Sequence, residues 1–315
     1  LTGHSKTNKS DFVFAADLGG THLRVAAVDS NGQISFRQVQ STPQAENPDA
    51  IVRALIAAAR ECERQLAELK GKISGASVAV PGTVDVAQGL VVKVPNVPSL
   101  DGFQLAAALA SELGWPVRLE NDANAAAVGE MWRGAGQGYG TILCVTLGTG
   151  VGGGIILDKK LWRGANGSAG EIGHIGIDPF AGVPCPCGSQ GCLEVYASAT
   201  AIVRMTREAK PRYPNSMLHD AEDLTSLEVY EAGKEGDELG LEVFRRMGVY
   251  LGIGLASLIN LLNPQVIIIG GGLANGWELF KKDMHQQVIE RAFPIPAESV
   301  KIVRAQCGDN AGLLG

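Results

Sequence analysis

The sequence predicts an α/β protein built from two α/β units. Apolar, β-branched runs bounded by turn residues alternate with helical stretches, and a strand, a Gly-rich turn and a second strand recur in both halves. With 315 residues, 45% of them hydrophobic, the chain is long enough for about two domain cores.

Runs at 12–16, 23–28 and 34–39 predict three strands, with Asp29-Ser30-Asn31-Gly32 the plainest turn between them, and read as an antiparallel meander. A helix is expected over 48–69, where Ile51, Leu55, Cys62, Leu66 and Leu69 recur near helical spacing. A strand at 77–80, a loop at Pro81-Gly82, a hairpin through 90–94, a helix over 103–113 and a strand at 117–120 complete a first domain, 1–121. The second, 122–309, opens with a helix over 122–132. A strand at 142–147, a hairpin over 154–162, a cysteine-rich loop, several helices and strands at Val266 and Ile302 follow. No charged residue occurs from Met247 to Trp277, a length that suggests a membrane span, but Asn260, Asn263, Pro264 and Gln265 interrupt it. A buried helix ending before Pro264 and a buried strand at 266–269 are expected instead.

The net charge of −6, with no Lys/Arg block, gives no electrostatic footprint for nucleic acid. Six cysteines, three in one loop and Cys62, Cys144 and Cys307 scattered through apolar or helical segments, fit a reducing compartment. The first ten residues are polar and lack the apolar core of a signal peptide, so the expected location is the cytoplasm, with no membrane partner.

Cys185, Cys187 and Cys192, with His174 eleven residues upstream of the first, supply the one-nitrogen, three-sulfur set of a closed structural zinc site. Buried thiols or a disulfide are the alternative, against which Gly188 and Gly191 suit a backbone wrapped around a metal. A metal-stiffened loop would hold Glu171, His174 and Glu194 against a polar ligand.

Asp17-Leu-Gly-Gly-Thr21 and Thr146-Leu-Gly-Thr-Gly150 each follow one strand and precede another, a faint internal repeat. Neither is a Walker A loop. Each is either a tight hairpin turn or a phosphate cradle, in which Gly19, Gly20, Gly148 and Gly150 let backbone N–H groups approach and Thr21 and Thr149 add hydroxyls. Asp17 would hold a magnesium ion beside the phosphates. Gly271, in a glycine triplet after the 266–269 strand, would admit an adenosine or form a plain strand-to-helix turn. Asp122, where a buried strand passes into an Ala-rich helix, is either a helix N-cap or a general base that takes a proton from an attacking hydroxyl, with Asn121 beside it.

Together, Asp17-Leu-Gly-Gly-Thr21, Glu120-Asn-Asp-Ala-Asn124, Leu147-Gly-Thr-Gly-Val-Gly-Gly-Gly154, Ala169-Gly-Glu-Ile-Gly-His174 and Cys185-x-Cys187-Gly-x-x-Gly-Cys192-x-Glu194 resemble the ROK family of sugar kinases and repressors, most closely its bacterial glucokinases. The resemblance runs from about Asp11 to the last residue. It implies an actin-like ATPase fold of hexokinase type, with two α/β domains closing over a cleft that takes ATP and a hexose, usually in a homodimer or tetramer. It also implies ATP-dependent phosphorylation of the sugar 6-hydroxyl, with Asp122 as base and glucose, N-acetylmannosamine, N-acetylglucosamine or another hexose as acceptor. Asn96, Asn121, Glu171, His174 and Glu194 would bind sugar hydroxyls, with His174 bonding zinc through its other ring nitrogen. Asp17, Gly19, Gly20, Thr21, Gly148, Thr149, Gly150 and Gly271 would handle ATP with Mg2+. His22 departs from the Asn or Lys more usual in relatives. A family repressor would need an N-terminal helix-turn-helix, for which ten polar residues are too few. The chain stops at the start of a helix, near 310–315, expected to return to the first domain.

Overall fold

The computed structural model describes residues 11–44 and 46–315, so the reading of the first ten residues lies outside them. The chain divides into two compact units.

The first unit takes the chain up to Arg133, together with Arg163–Ala169 and Asn310–Gly315. Its five-stranded sheet has the order β3-β2-β1-β4-β7, with β1 at Asp11–Leu18, β2 at His22–Asp29, β3 at Ile34–Ser41, β4 at Lys72–Val80 and β7 at Val117–Asn121. The expected meander is present: β1 and β2 pair antiparallel, as do β2 and β3, while β4 and β7 add in parallel. β5 (Thr83–Asp85) and β6 (Leu90–Lys93) form a separate hairpin. α1 (Asp49–Glu68) buries Ile51, Leu55, Cys62 and Leu66 as the periodicity predicts. Leu69, read as part of that face, is the C-cap and is 65% exposed because the helix ends one residue earlier. α2 (Leu105–Leu113) stops at Gly114, whose φ of 72° is left-handed.

β4 starts five residues before the expected 77, because its Lys72–Gly75 segment has weak strand propensity of its own and is held by pairing with β1. α3 (Asp122–Arg133) follows β7 without a loop and lies with the first unit, on the other side of the boundary read from the sequence. The last helix, α10 (Ala311–Leu314), packs on α3.

The second unit has the same sheet plan, order β10-β9-β8-β11-β12. β8 (Ile142–Leu147), β9 (Val151–Leu157) and β10 (Lys160–Leu161) form the antiparallel meander, and β11 (Val266–Gly270) and β12 (Lys301–Arg304) add in parallel. The faint sequence repeat is thus a repeat of topology, the duplicated α/β arrangement of actin-like ATPases. β11 is buried at every residue, as suits a parallel strand between two others.

Around this sheet lie α4 (Glu194–Ala197), α5 (Ala199–Ala209), α6 (Ser226–Lys234), α7 (Glu238–Leu262), α8 (Trp277–Arg291) and α9 (Pro294–Ser299). α7 is the uncharged stretch's helix. Asp237 caps its start, and Asn263 ends it in the left-handed conformation just before Pro264. Its buried face includes Val243, Phe244, Met247, Leu251, Leu255 and Ile259. Among the described residues no helix is long and apolar enough to cross a membrane.

Candidate active site and metal centre

In the first unit, Asp122 is the opening residue of α3, but it is Asn121 that caps the helix. Asn121 Oδ1 accepts from Asn124 N at 3.0 Å, the pattern of a cap bonded to the third helical residue. Asn121 Nδ2 donates to Gly82 O at 2.9 Å and to Asp122 Oδ1 at 3.1 Å, and Ala123 N donates to the same Oδ1 at 2.8 Å. The Asp122 carboxylate is therefore aimed by two donors. Both amide hydrogens of Asn121 are engaged, so what it offers a ligand is the second lone pair of Oδ1.

Glu120 secures this turn from beneath. Its Oε1 accepts from Asn121 N at 3.0 Å and Asn124 Nδ2 at 3.1 Å, while Oε2 takes Arg163. Sequence reasoning quoted Glu120 inside a motif without giving it a role and missed Arg163, which no local pattern marks.

Asn96 stands against the first Gly-rich turn: a Cβ added to Gly20 would lie 2.9 Å from Asn96 Cβ. Asp17, one residue before the end of β1, has Arg24 Nη1 3.8 Å from Oδ2. Gly312 of α10 closes on it, since a Cβ there would sit 3.2 Å from Asp17 Cγ. A carboxylate oxygen is the hard donor that magnesium takes.

In the second unit, His174, Cys185, Cys187 and Cys192 bring one ligand atom each within 4.8 Å of one another. Cys187 Sγ lies 3.7 Å from Cys192 Sγ, and Cys185 Sγ lies 3.7 Å from His174 Nδ1. A tetrahedron with zinc–sulfur arms of about 2.3 Å has edges of about 3.8 Å. A disulfide needs about 2.05 Å, and all three thiols are free. The donor set fits a closed metal site, with His174 Nε2 left facing elsewhere. Burial pushes the Cys185 thiol up to about 12 and the Cys192 thiol upward, while the Ser189 backbone N–H lowers that of Cys187. A second tether holds the loop: Tyr196 Oη donates to Asp178 Oδ2 and accepts from Val183 N, both at 3.0 Å, and its ring stacks on Tyr250 at 4.1 Å.

Glu171 is exposed and opens the short 3-10 turn that carries His174. Glu194 follows the last cysteine by two residues and reaches the second Gly-rich turn, where its Oε2 accepts from Val151 N at 2.9 Å. Any side chain at Gly150 would run into that oxygen. Gly271, at φ 83°, abuts the Leu147 carbonyl so closely that a Cβ would collide with it. The unit thus brings the 148–150 turn, Gly271 and Glu194 together.

The ROK family profile matches residues 13–315, nearly the whole chain. The chain belongs to the ROK family. Among ROK relatives, a glucokinase of Halalkalibacterium halodurans is 37% identical over 306 residues, covering 95% of this chain and 92% of that one. A ROK family glucokinase from Streptomyces griseus, solved in complex with glucose and AMPPNP, superposes with a TM-score of 0.82 at 34% identity, covering 96% of this chain and 97% of that one. A ROK family transcriptional regulator, a homolog of the E. coli MLC protein, gives a TM-score of 0.89 at 28% identity, covering 98% of this chain and 77% of that one.

Proposed function

We propose that this ROK protein is an ATP-dependent sugar kinase that phosphorylates the 6-hydroxyl of a hexose, with glucose preferred. The observation that carries the reading is Asp122: its neighbour Asn121 does the capping and helps hold its carboxylate, in a chain 34% identical to a glucokinase solved with glucose and AMPPNP. Asp122 accepts the 6-hydroxyl proton as that oxygen attacks the γ-phosphorus, and the bond from the γ-phosphorus to the β,γ-bridging oxygen breaks to release ADP. Asp17 would hold magnesium, which would supply the positive charge that neutralises the phosphates.

Asn96, Asn121, Glu171, His174 and Glu194 bind sugar hydroxyls. The turns at 19–21 and 148–150 cradle phosphates, and Gly271 lies beside the adenosine. His174, Cys185, Cys187 and Cys192 would hold zinc, which would stiffen the loop that presents His174 and Glu194.

A coupled ADP-release assay tests this with magnesium ATP against glucose, mannose, fructose, N-acetylglucosamine and N-acetylmannosamine. Turnover dominated by glucose is expected. Dominance by an N-acetyl sugar keeps the chemistry and changes the substrate. Silence on every sugar removes the kinase reading in favour of sugar-responsive regulation, a second reading that the superposition on a ROK transcriptional regulator supports.

A further inference from the structure

Both Gly-rich turns are tied from behind through their carbonyl oxygens. In the second unit, Gly148 O accepts from Ala199 N at 2.8 Å, and Thr149 O accepts from Thr200 Oγ1 at 3.0 Å. In the first unit, Gly19 O accepts from Thr42 Oγ1 at 2.6 Å, Gly20 O from Gln44 Nε2 at 2.9 Å, and Thr21 O from Thr42 N at 2.9 Å.

A trans peptide is planar, so its N–H points opposite its C=O. Pulling the carbonyls of Gly148 and Thr149 toward α5 therefore turns the N–H groups of Thr149 and Gly150 away from it. Holding the carbonyls of Gly19 and Gly20 does the same for the N–H groups of Gly20 and Thr21. None of these four N–H groups donates to an acceptor among the described residues. Two successive N–H groups aimed one way make a nest for an anion.

The tie at the second turn has a direction. Ser198 Oγ accepts from Ala201 N at 3.1 Å and lies 2.8 Å from Thr200 Oγ1. With the Thr200 hydroxyl donating to Thr149 O, the Ser198 hydroxyl donates to Thr200, and each oxygen in the relay has one defined role. Ser198 is fully buried, so the relay is anchored in the core. At the first turn Thr42, 3% exposed, provides the equivalent anchor.

We infer that Thr42 and Thr200 are positioning residues that pre-form the two turns as nests for the phosphates of a nucleotide. The inference rests on the kinase reading and adds two residues outside its contact set. Neither threonine touches the phosphates. Each acts by fixing peptide orientation before the nucleotide arrives, which lowers the ordering cost of binding.

The test is Thr200→Val, which keeps the shape and deletes the hydroxyl at an exposed position, with Thr200→Ser as rescue and Thr42→Val and Thr42→Ser as the matching pair. Affinities for MgADP and for adenosine are measured by calorimetry, alongside KM for ATP and for sugar. MgADP affinity and KM for ATP are expected to worsen about three- to tenfold in Thr200→Val, the scale of one hydrogen bond. Adenosine affinity and sugar KM should stay within twofold, with recovery in the serine variant. MgADP binding as tight as wild type, or an equal loss for adenosine, overturns the inference while an active wild type leaves the kinase reading standing. A wild-type protein that binds neither MgADP nor MgATP overturns both.

Discussion

Arg163 places Nε and Nη2 on a single carboxylate oxygen of Glu120, at 2.9 and 2.5 Å. The other oxygen of Glu120 is thereby left to the Asn121 N–H and the Asn124 amide, at the head of the helix that carries Asp122. Four donors converge on one carboxylate of which 12% of the side chain is exposed.

Glu120→Gln replaces an acceptor-only group with one that also presents an NH2 to those donors. Because Arg163 is 42% exposed, the ion pair itself is screened, and the loss of stability is expected to be about 1–2 kcal/mol. Turnover should fall about tenfold with sugar KM changed less than threefold, since the damage is to the aim of Asp122. Arg163→Lys should show part of the same effect, because a lysine cannot reproduce the fork. Unchanged turnover in both variants, read by ADP release, would detach Glu120 from the base.

Asp122→Asn retains an oxygen for the Ala123 N–H and removes the proposed proton acceptor. Sugar affinity is expected to hold within a few-fold while turnover drops by orders of magnitude. Turnover within about threefold of wild type would exclude Asp122 as the base.

Cys187→Ser removes the exposed cysteine of the proposed metal set. Zinc content by metal analysis should fall from about one per chain, and sugar KM should rise about five- to tenfold as His174 and Glu194 lose their stiffened loop. The Tyr196 tether to Asp178 and Val183 limits the loss, so the double variant with Tyr196→Phe should be worse than either alone. Wild-type sugar affinity in metal-free protein would sink the idea.

Asp237 links the N-terminus of α7 to the loop before it, accepting from Leu239 N, Gly240 N, Met217 N and the Ser216 hydroxyl. Burial works to raise its pKa, but these donors outweigh it and hold the carboxyl below its ordinary value. A depressed folded-state pKa means that the unfolded chain takes up the proton first, so the contribution is present above about pH 4 and is lost as pH falls through the folded value. Asp237→Ala is expected to cost about 1–2 kcal/mol at pH 7 and to flatten the acid limb of stability. Denaturant melts from pH 7 to pH 3 that lose stability in parallel for both proteins would contradict this.

Much of the architecture was legible because its signals are local. Pro264 and Asn263 ended α7, and β-branched runs marked β8 and β11. The start of β4 was illegible because a neighbour strand, not its own residues, makes it a strand. The motifs also named His174, Cys185, Cys187 and Cys192 as one donor set, and the structure gathers their donor atoms within 4.8 Å. Whether Asn121 or Asp122 capped α3 could not be read, since either residue type serves and only backbone geometry chooses.

The sequence by itself determined the α/β class, the two-fold strand and turn pattern, the family, and the residues with chemistry to offer. These follow from periodicity, turn residues and motif spacing, which act over a few positions. Tertiary structure alone decided that Arg163 meets Glu120 from 43 residues away, that Gly312 closes on Asp17, and that Thr42 and Thr200 stand behind the two turns. Hydrogen-bond partners distant in sequence are set by how strands and helices pack, and single residues such as a lone Thr or Arg carry no local sign of which partner the fold will bring.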